Sequence, residues 1–323
     1  MTKPHSWETR VEVLGPAIEL SAKHMQRVVI DTDPGTDDAL ALLMALNSPD
    51  LRIEGITTVG GNATLAETTN NALRLVDHVA AGCDVPIAVG AERPARGSFS
   101  HAYHVHGADG LGVDLPAARL APHPADAVEF LRDRALAAPG RIAVIALGPL
   151  TNVAAALDGQ PEVAQAISEI VVMGGAVEVP GNVTPHAEFN IYEDPWSANA
   201  VFGSGVPVTL IGLDVTHRTA MHRDGGPRWF EGTSRSAQLG NRILANSFRE
   251  RADVQEFYLH DPLAVAAAIE PELLTLRRAQ VAVVTDGGER GRTVASYGDG
   301  PVKVALGVDV GRAVEIVRKL ISN

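Results

Sequence analysis

The chain has 323 residues, of which 46% are hydrophobic, 20% charged and 4% aromatic. This length allows a large buried core, arranged as one large α/β domain or as two smaller domains. The 39 acidic residues exceed the 27 lysines and arginines, giving a formal net charge of −12 with neutral histidines. Such a charge argues against a nucleic-acid-binding surface and is compatible with binding of a cation.

The cellular compartment is suggested by cysteine usage and by the absence of targeting segments. Cys83 is the only cysteine, which excludes an intrachain disulfide and suits a reducing cytoplasm. Residues 1–26 carry mixed charges without the apolar core of a signal peptide, and no run approaches the ~18 apolar residues of a membrane span. We therefore expect a cytoplasmic protein with no membrane partner, an irregular leader at residues 1–26, and a single domain at residues 27–323.

Predicted strands and helices alternate along the chain from residue 27 onward. Short apolar runs predict strands at Arg27–Ile30, Ile53–Thr58, Ile142–Ala146, Ile170–Met173, Val206–Gly212 and Gln280–Val284. Helical patterns lie between them, at about Asp38–Leu46, Ala66–Ala80, Pro124–Ala137, Asn152–Leu157, Pro195–Val201 and Pro262–Ala268. This alternation predicts an α/β fold with an open, mainly parallel sheet and helices on both faces, which binds ligands at the carboxyl ends of its strands.

Two local patterns add detail to this prediction. Asp194 and Asp261 each precede a proline, which predicts that both aspartates cap the start of a helix. The segment Thr219–Ala237 is rich in glycine, arginine and serine, and we expect it to be a surface insertion.

Four aspartates lie within eight residues where the first strand is predicted to end. Asp31 and Asp33 point the same way in an extended chain, and a Pro-Gly pair then turns the backbone. Asp37 and Asp38 fall in the first turn of the next helix, where the helix dipole favours negative charge. Carboxylates this close repel one another unless some are protonated or a cation lies among them. An oxygen-rich ligand set of this kind suits Ca²⁺ or Mg²⁺.

Two alternative interpretations of the acidic segment are weaker. Helix capping and turn formation require one or two acidic residues, and here there are four. A phosphatase of the haloacid dehalogenase type begins a similar fold with Asp-x-Asp-x-Thr. In this chain Thr36 stands one place too late for that pattern, and Pro34-Gly35 interrupts it.

Further polar segments follow several of the predicted strands. They are Thr57–Asn62, Leu147–Asn152, Met173–Gly175 with the downstream Asn182 and Glu188–Asn190, and His260–Pro262. Taken singly, each can be interpreted as a glycine turn, a helix cap or a solvated histidine. Their common position at one edge of the sheet, together with the four aspartates, favours a functional site.

These motifs resemble the inosine–uridine-preferring nucleoside hydrolase family over nearly the whole chain from residue 27. The family's opening motif, Asp-x-Asp-Pro-Gly-x-Asp-Asp, is present in full as Asp31–Asp38. Its later motifs follow in the family's order at Asn62, Gly148–Asn152, Met173–Gly175, Asn182 with Glu188–Asn190, and His260–Pro262. The resemblance implies a Rossmann-like nucleoside hydrolase fold, a ribonucleoside as the small-molecule substrate, and a homodimer or homotetramer.

The resemblance also implies a role for each matching residue. Calcium would be held by the carboxylates of Asp33, Asp38 and Asp261 and by the backbone carbonyl of Thr151. Asp33 would also be the general base for a metal-bound water, and His260 the candidate acid for the departing base. The implied substrate-binding residues are Asp37, Asn62, His106, Met173, Asn182, Glu188, Phe189 and Asn190.

Within the substrate-binding group, the resemblance divides the residues by the part of the nucleoside they bind. Asp37 and Asn190 would bind the 2′- and 3′-hydroxyls, and Asn182 and Glu188 would lie near the 5′-hydroxyl. Asn62 and Met173 would line the ribose pocket. His106 and Phe189 would face the base, with an aromatic residue near Phe248 or Tyr258 closing over it. Asp31 would fix the loop.

The sequence therefore predicts calcium-dependent hydrolysis of the N-glycosidic bond of ribonucleosides, giving free base and ribose. One alternative is an N-ribosyl hydrolase for another ribosyl compound. Another is a non-catalytic ribose- or nucleoside-binding protein, which would need neither Asp33 as a base nor His260 as an acid. The family's purine-specific branch stacks the base between tryptophans, and no tryptophan lies in the segment Val105–Gly107. This difference points to a broad or pyrimidine-leaning enzyme.

Overall fold

The computed structural model describes residues 25–80, 82, 84–225 and 228–323. The predicted leader lies outside the described residues except for residues 25 and 26, and Cys83 lies outside them as well. The strands are β1 (Gln26–Thr32), β2 (Leu51–Thr58), β3 (Ile87–Val89), β4 (Ile142–Ala146), β5 (Ile167–Met173), β6 (Val208–Ile211), β7 (Ala220–His222), β8 (Glu256–Tyr258), β9 (Leu274–Val283), β10 (Thr293–Tyr297) and β11 (Val302–Val308).

Helices occupy most of the chain between the strands. They are α1 (Thr36–Asn47), α2 (Leu65–Val79), α3 (Tyr103–His106), α4 (Ala127–Ala137), α5 (Thr151–Leu157), α6 (Pro161–Ala166), α7 (Phe189–Glu193), α8 (Pro195–Phe202), α9 (Leu213–Thr216), α10 (Arg235–Glu250), α11 (His260–Ile269) and α12 (Val310–Ser322). In the described ranges, no helix combines the length and apolar character needed to span a bilayer.

Nine of the described strands form one sheet in the order β10-β9-β11-β6-β5-β4-β1-β2-β3. Neighbouring strands from β3 to β11 run parallel, whereas β9 is antiparallel to both β10 and β11. The predicted open, mainly parallel α/β sheet is thus confirmed. The antiparallel end follows from a short connection, because β10 returns along β9 after only residues 284–292 and a parallel crossover needs about a dozen residues or more.

The position of β1 determines where a ligand can bind. The chain leaves β1 toward β2 and β3 on one side and later adds β4, β5 and β6 on the other side. Strand order therefore reverses at β1, and the carboxyl ends of β1 and β4 flank a crevice. In open α/β sheets such a switch point is the usual ligand site. The segment Asp31–Asp38 begins at the end of β1, where this crevice opens.

Alternate residues of the central strands pack against helices on opposite faces of the sheet. Val28 of β1 belongs to the same buried cluster as Leu40 of α1, whereas its neighbour Val29 belongs to the cluster that contains Phe130 of α4. Both faces of β1 are therefore covered, and the side chains of these two valines have no exposed area. This double coverage explains why the strand is a continuous apolar run rather than an alternating one.

Of the two helix caps predicted from the sequence, one is confirmed and one is wrong. Asp194 caps α8, because its Oδ1 accepts a hydrogen bond from the Ser197 amide at 3.1 Å. The prediction that Asp261 caps a helix is wrong, since α11 begins at His260 and its N-cap residue is Leu259. Asp261 lies inside the first turn, where its carboxylate is available to the acidic cluster.

The segment Thr219–Ala237 is not a surface insertion in its described part. It contributes β7 and the start of α10, and the side chains of Met221, Trp229 and Phe230 are buried. β7 pairs with β8 in a separate antiparallel ribbon beside the main sheet. The segment therefore belongs to the packed structure that supports the site.

Candidate active site

An acidic cluster lies at the carboxyl end of β1. Carboxylate oxygens of Asp37, Asp38 and Asp261 lie within 4.8 Å of one another. Asp33 is fully buried, and its charge acts on both Asp38 and Asp261. Burial is the largest cause that raises the pKa of each of these four carboxyls, and mutual repulsion raises the pKa of Asp33, Asp38 and Asp261 further.

Asp38 is held rigidly by three donors. Its Oδ1 accepts from the Thr32 hydroxyl at 2.5 Å, and its Oδ2 accepts from the Gly35 amide at 2.9 Å and from the Asn62 side chain at 3.0 Å. These partners come from the end of β1, the turn before α1 and the segment after β2. The carboxylate is therefore fixed in place by the fold itself.

Asp33 is confined by two glycines. Its Oδ2 accepts a hydrogen bond from the Asn62 amide at 2.7 Å, and its Oδ1 is buried without a hydrogen-bond partner among the described residues. A Cβ atom added at Gly61 would collide with Oδ2, and one added at Gly148 would collide with Oδ1. Only glycine at these two positions leaves room for the Asp33 carboxylate.

Asp31 ties together the elements that converge on the cluster. Its Oδ1 accepts from the Thr57 hydroxyl at 2.5 Å and from the Asn152 side chain at 2.8 Å. Burial raises the pKa of Asp31 to about 6. These contacts link the end of β1 to two other elements, since Thr57 belongs to β2 and Asn152 to α5.

The residues present are compatible with a bound calcium ion. Oδ1 of Asp33 and Oδ1 of Asp37 are buried and have no hydrogen-bond partner among the described residues. Buried carboxylates need a partner, and an oxygen-only donor set is the kind that calcium prefers. The Thr151 hydroxyl donates to Asp194 at 2.7 Å, so this side chain is already engaged at the start of α5.

A cavity of about 580 Å³ lies beside the acidic cluster. All eight predicted substrate-binding residues line it, namely Asp37, Asn62, His106, Met173, Asn182, Glu188, Phe189 and Asn190. His260 and Asp261 line it as well. Asp33, Asp38 and Thr151 do not line this cavity, and all three are buried.

Hydrogen bonds to the backbone fix the polar side chains on one wall of the cavity. Glu188 caps α7, because its carboxylate accepts from the Asn190 amide at 3.0 Å and the Ile191 amide at 3.1 Å. The Asn190 side chain donates to the carbonyl of Leu147 at 2.6 Å and to that of Met173 at 3.2 Å. The Asn190 side-chain amide is therefore oriented by the ends of β4 and β5.

Two histidines on the cavity wall are held as neutral rings. The Thr36 amide donates to Nδ1 of His106 at 3.1 Å, so the neutral ring carries its proton on Nε2. Burial lowers the pKa of His106 to about 4. Burial, with the nearby His217, lowers the pKa of His260 to about 3. Nδ1 of His260 lies 2.9 Å from the Thr216 hydroxyl.

Two residues of the cavity wall, Arg251 and His217, were not expected from the sequence. Tyr258, which was expected to lie near the base, lines the cavity as well. Phe248 does not line it and instead stacks on Trp229 with ring centroids 5.5 Å apart. His217 directly follows α9 after β6, so its position at a strand end was a usable sequence signal. Arg251 follows α10 and belongs to no recognisable motif.

Comparison with known proteins agrees with this geometry. A family model described as "Inosine-uridine preferring nucleoside hydrolase" matches residues 28–315. "Probable uridine nucleosidase 2" of Arabidopsis thaliana is 37% identical over 310 residues, covering 90% of this chain and 96% of its own. "Pyrimidine-specific ribonucleoside hydrolase RihA" of Citrobacter koseri is 40% identical over 277 residues, covering 84% of this chain and 88% of its own. The solved structure of a plant nucleoside hydrolase, the PpNRh1 enzyme, has a TM-score of 0.86 at 35% identity, covering 92% of this chain and 99% of that one.

The class of protein follows from the family match together with the fold. The chain belongs to the inosine–uridine-preferring nucleoside hydrolase family, as its motifs predicted. It is accordingly a ribonucleoside hydrolase, an enzyme that separates a base from its ribose.

Proposed function

We propose that this enzyme hydrolyses the N-glycosidic bond of ribonucleosides in a calcium-dependent reaction that gives free base and ribose. The observation that carries this proposal is the position of the acidic cluster at the cavity wall. Asp37 and Asp261 line the cavity, and the buried Asp33 and Asp38 interact electrostatically with Asp261. Charged groups and nucleoside-binding groups are therefore parts of the same site.

The carboxylates of Asp33, Asp38 and Asp261 and the backbone carbonyl of Thr151 would hold the calcium ion. When bound, the ion neutralises these carboxylates and lowers the pKa of water in the site. The buried, unpartnered Oδ1 of Asp33 supports this assignment. The neutral histidine rings support it too, because they add no positive charge to compete with a cation.

Asp33 is the residue that accepts the proton of the attacking water. Its Oδ2 is engaged by the Asn62 amide, whereas its Oδ1 has no partner among the described residues. The Asn62 bond and the flanking glycines hold the carboxylate in one orientation before substrate binds. Such fixed positioning is a main source of catalytic efficiency. Water attacks the anomeric carbon directly, so we expect inversion of configuration there.

The remaining cavity residues bind the substrate and stabilise the transition state. Asp37 and Asn190 bind the 2′- and 3′-hydroxyls, and Asn182 and Glu188 lie toward the 5′-hydroxyl. Carboxylates around the sugar stabilise the positive charge of an oxocarbenium-like transition state. The base lies on the side of the cavity that contains His260, which donates the proton that the departing base takes up.

A preference for pyrimidine nucleosides is supported by two observations. The relatives from Arabidopsis thaliana and Citrobacter koseri are named for uridine and for pyrimidine nucleosides, respectively. None of the described residues that line the cavity is a tryptophan, whereas the purine-specific branch stacks the base between tryptophans. We therefore expect uridine to be hydrolysed faster than adenosine.

Ribose release from uridine, cytidine, inosine and adenosine tests the proposal. Release should occur with calcium, stop when a chelator is added, and return when calcium is restored. Asp33→Ala should lose nearly all turnover while keeping the circular dichroism of the wild type. Release that is insensitive to the chelator would contradict the calcium assignment. No release from any of the four nucleosides, with calcium still bound, would favour another ribosyl substrate or a binding role.

We also propose that the enzyme is cytoplasmic and assembles as a homodimer or homotetramer. The single cysteine supports a reducing compartment, and the family resemblance supports the assembly. Light scattering coupled to size-exclusion chromatography measures the assembly directly.

A further inference from the structure

Arg251 is a half-buried cation on the cavity wall, immediately after α10 ends. Its guanidinium makes no hydrogen bond or ion pair with any residue that the structure describes, and its Nε is shielded from water. Burial lowers the pKa of Arg251, and the negative charges of Asp37 and Asp253 oppose this effect. Because no described residue accepts a hydrogen bond from the guanidinium, a ligand in the cavity can supply the missing acceptor.

The main chain at Arg251 is fixed in this position. The Arg223 guanidinium donates to the Arg251 carbonyl at 2.8 Å and to those of Phe248 and Val254 at 2.8 and 2.7 Å. The Arg251 amide donates to the Ser247 carbonyl at 3.1 Å. These bonds hold the backbone from which the Arg251 side chain reaches the cavity wall.

The guanidinium lines the same cavity as the two neutral histidines, His106 and His260. Its positive charge contributes to lowering the pKa of both rings. It also lowers the pKa of Asp37, whose carboxylate lies 3.8 Å from His106. In the proposed reaction His106 and His260 lie beside the base and Asp37 lies beside the ribose, so Arg251 lines the part of the cavity where base and ribose meet.

We propose that Arg251 contacts the base of the bound nucleoside and stabilises the negative charge that the base acquires as it leaves. This inference rests on the proposed function. When the bond from C1′ to nitrogen breaks, its electron pair remains on the base, and water adds to C1′ while its proton passes to Asp33. The base then takes up one proton, so that nucleoside and water give free base and ribose.

The chemistry of a guanidinium indicates which bases it serves. Its planar fork of N–H donors pairs with oxygen and unprotonated ring-nitrogen acceptors, and it has no acceptor of its own. Negative charge on a departing uracil or hypoxanthine spreads onto such acceptors. Arg251 therefore favours oxo-substituted bases and has least effect on a leaving group that is already a stable anion.

The test compares leaving groups in wild type, Arg251→Gln and Arg251→Ala. Arg251→Gln should lower kcat for uridine by about 10²–10³-fold, as removal of one preorganised donor to a developing anion does elsewhere. The loss should be smaller for 5-fluorouridine and nearly absent for p-nitrophenyl riboside, whose leaving group needs little stabilisation. Added guanidinium chloride should restore part of the uridine activity of Arg251→Ala.

Arg249→Gln is the matched control. Arg249 stands two residues earlier, is exposed, and does not line the cavity. We expect this variant to keep wild-type rates on all three substrates. A loss equal to that of Arg251→Gln would show that the effect comes from changing the end of α10 and would overturn the proposal.

A second comparison separates direct contact from an influence exerted through His260. In a His260→Ala background, replacement of Arg251 by Gln should still slow uridine hydrolysis. No further loss there, or an equal loss on all three substrates in the single variant, overturns the role of Arg251 while leaving the hydrolase assignment intact. Absence of ribose release by the wild type would instead overturn the proposed function and, with it, this inference.

Discussion

His260 is chemically different from a histidine in water. Burial lowers its pKa to about 3, so its ring is neutral at any pH above about 4. The proton it can supply is therefore the N–H of a neutral imidazole. Its Nδ1 lies within hydrogen-bond distance of the Thr216 hydroxyl, which orients the ring. In the proposed reaction, a donor oriented in this way hydrogen-bonds to the departing base without first having to be charged.

Replacing His260 by alanine should therefore affect substrates according to their leaving groups. We expect hydrolysis of uridine to slow by about 10²–10⁴-fold, the usual range for general acid assistance, and hydrolysis of p-nitrophenyl riboside to be nearly unchanged. Steady-state kinetics on both substrates measure the difference. His222→Ala, at an exposed histidine outside the cavity, is the control. Equal losses on both substrates would argue against an acid role for His260.

Single residues of the site were predictable where they belong to a contiguous motif. The segment Asp31–Asp38 placed four carboxylates correctly, because a strand end and the next helix start fix their positions. Asp261 was expected to be both a helix cap and a calcium ligand, and only the cap is excluded by where α11 begins. Arg251 was missed because its importance arises from packing between α10 and β8, and local sequence contains no information about that contact.

The turn between β4 and α5 helps to fix the position of the Asp33 side chain, which comes from a distant part of the chain. Gly148 lies in this turn and leaves space for the Asp33 carboxylate. Gly148 has no positive φ, so a substitution acts through steric collision and not through backbone strain. The turn therefore serves as one wall of the space that holds the Asp33 side chain.

Gly148→Ala should displace the Asp33 carboxylate and lower kcat by about 10²-fold or more, since a shift of about 1 Å in a catalytic group has this effect. Calcium affinity, measured by calorimetry, should fall as well. Gly288→Ala is the matched control, because a Cβ there meets no atom within 4 Å and its φ is not positive. Wild-type kinetics in Gly148→Ala would contradict the geometry described for Asp33.

At the scale of elements, the sequence predicted buried strands best. β4 was predicted with its observed bounds, because a strand covered on both faces is a short uninterrupted apolar run. The helix α10 was not predicted, although Leu239 and Ile243 are buried at helical spacing. Its remaining residues are mostly polar, so its few apolar residues form no continuous apolar run from which a helix would be predicted.

The molecule as a whole should become less stable at higher pH when calcium is removed. Burial and repulsion raise the pKa of Asp33 and Asp261 well above the ordinary value, so the folded state keeps protons that the unfolded state has released. Stability then falls as pH rises. The lowered pKa values of His106 and His260 have the opposite effect, which fades as pH rises past the ordinary histidine pKa of 6.5.

Melting temperatures from about pH 4 to 8, measured with calcium and in chelator, test this prediction, because the two histidines contribute under both conditions and largely cancel in the difference. The melting temperature with calcium should exceed that in chelator by an amount that grows as pH rises, since the ion replaces the protons among the carboxylates. A difference that is independent of pH or shrinks as pH rises would contradict the raised pKa values of Asp33 and Asp261.

The fold class was predictable at this scale because strands and helices alternate regularly. The antiparallel arrangement of β9, β10 and β11 was not predicted. Only the strand Gln280–Val284 was recognised in this region, and its direction depends on the length of the connection to β10. The single domain at residues 27–323 stays a prediction, and one sheet contains strands from both ends of that range.

The central position of β1 has a consequence for synthesis on the ribosome. β1 is made before the other described strands, yet its neighbour β4 follows more than 100 residues later. At about 5–20 residues per second, one edge of this apolar strand stays unpaired for roughly ten seconds. Charged residues next to an exposed apolar strand hinder its pairing with other chains. We therefore expect the aspartates at the end of β1 to hinder aggregation of the nascent chain before they serve the finished enzyme.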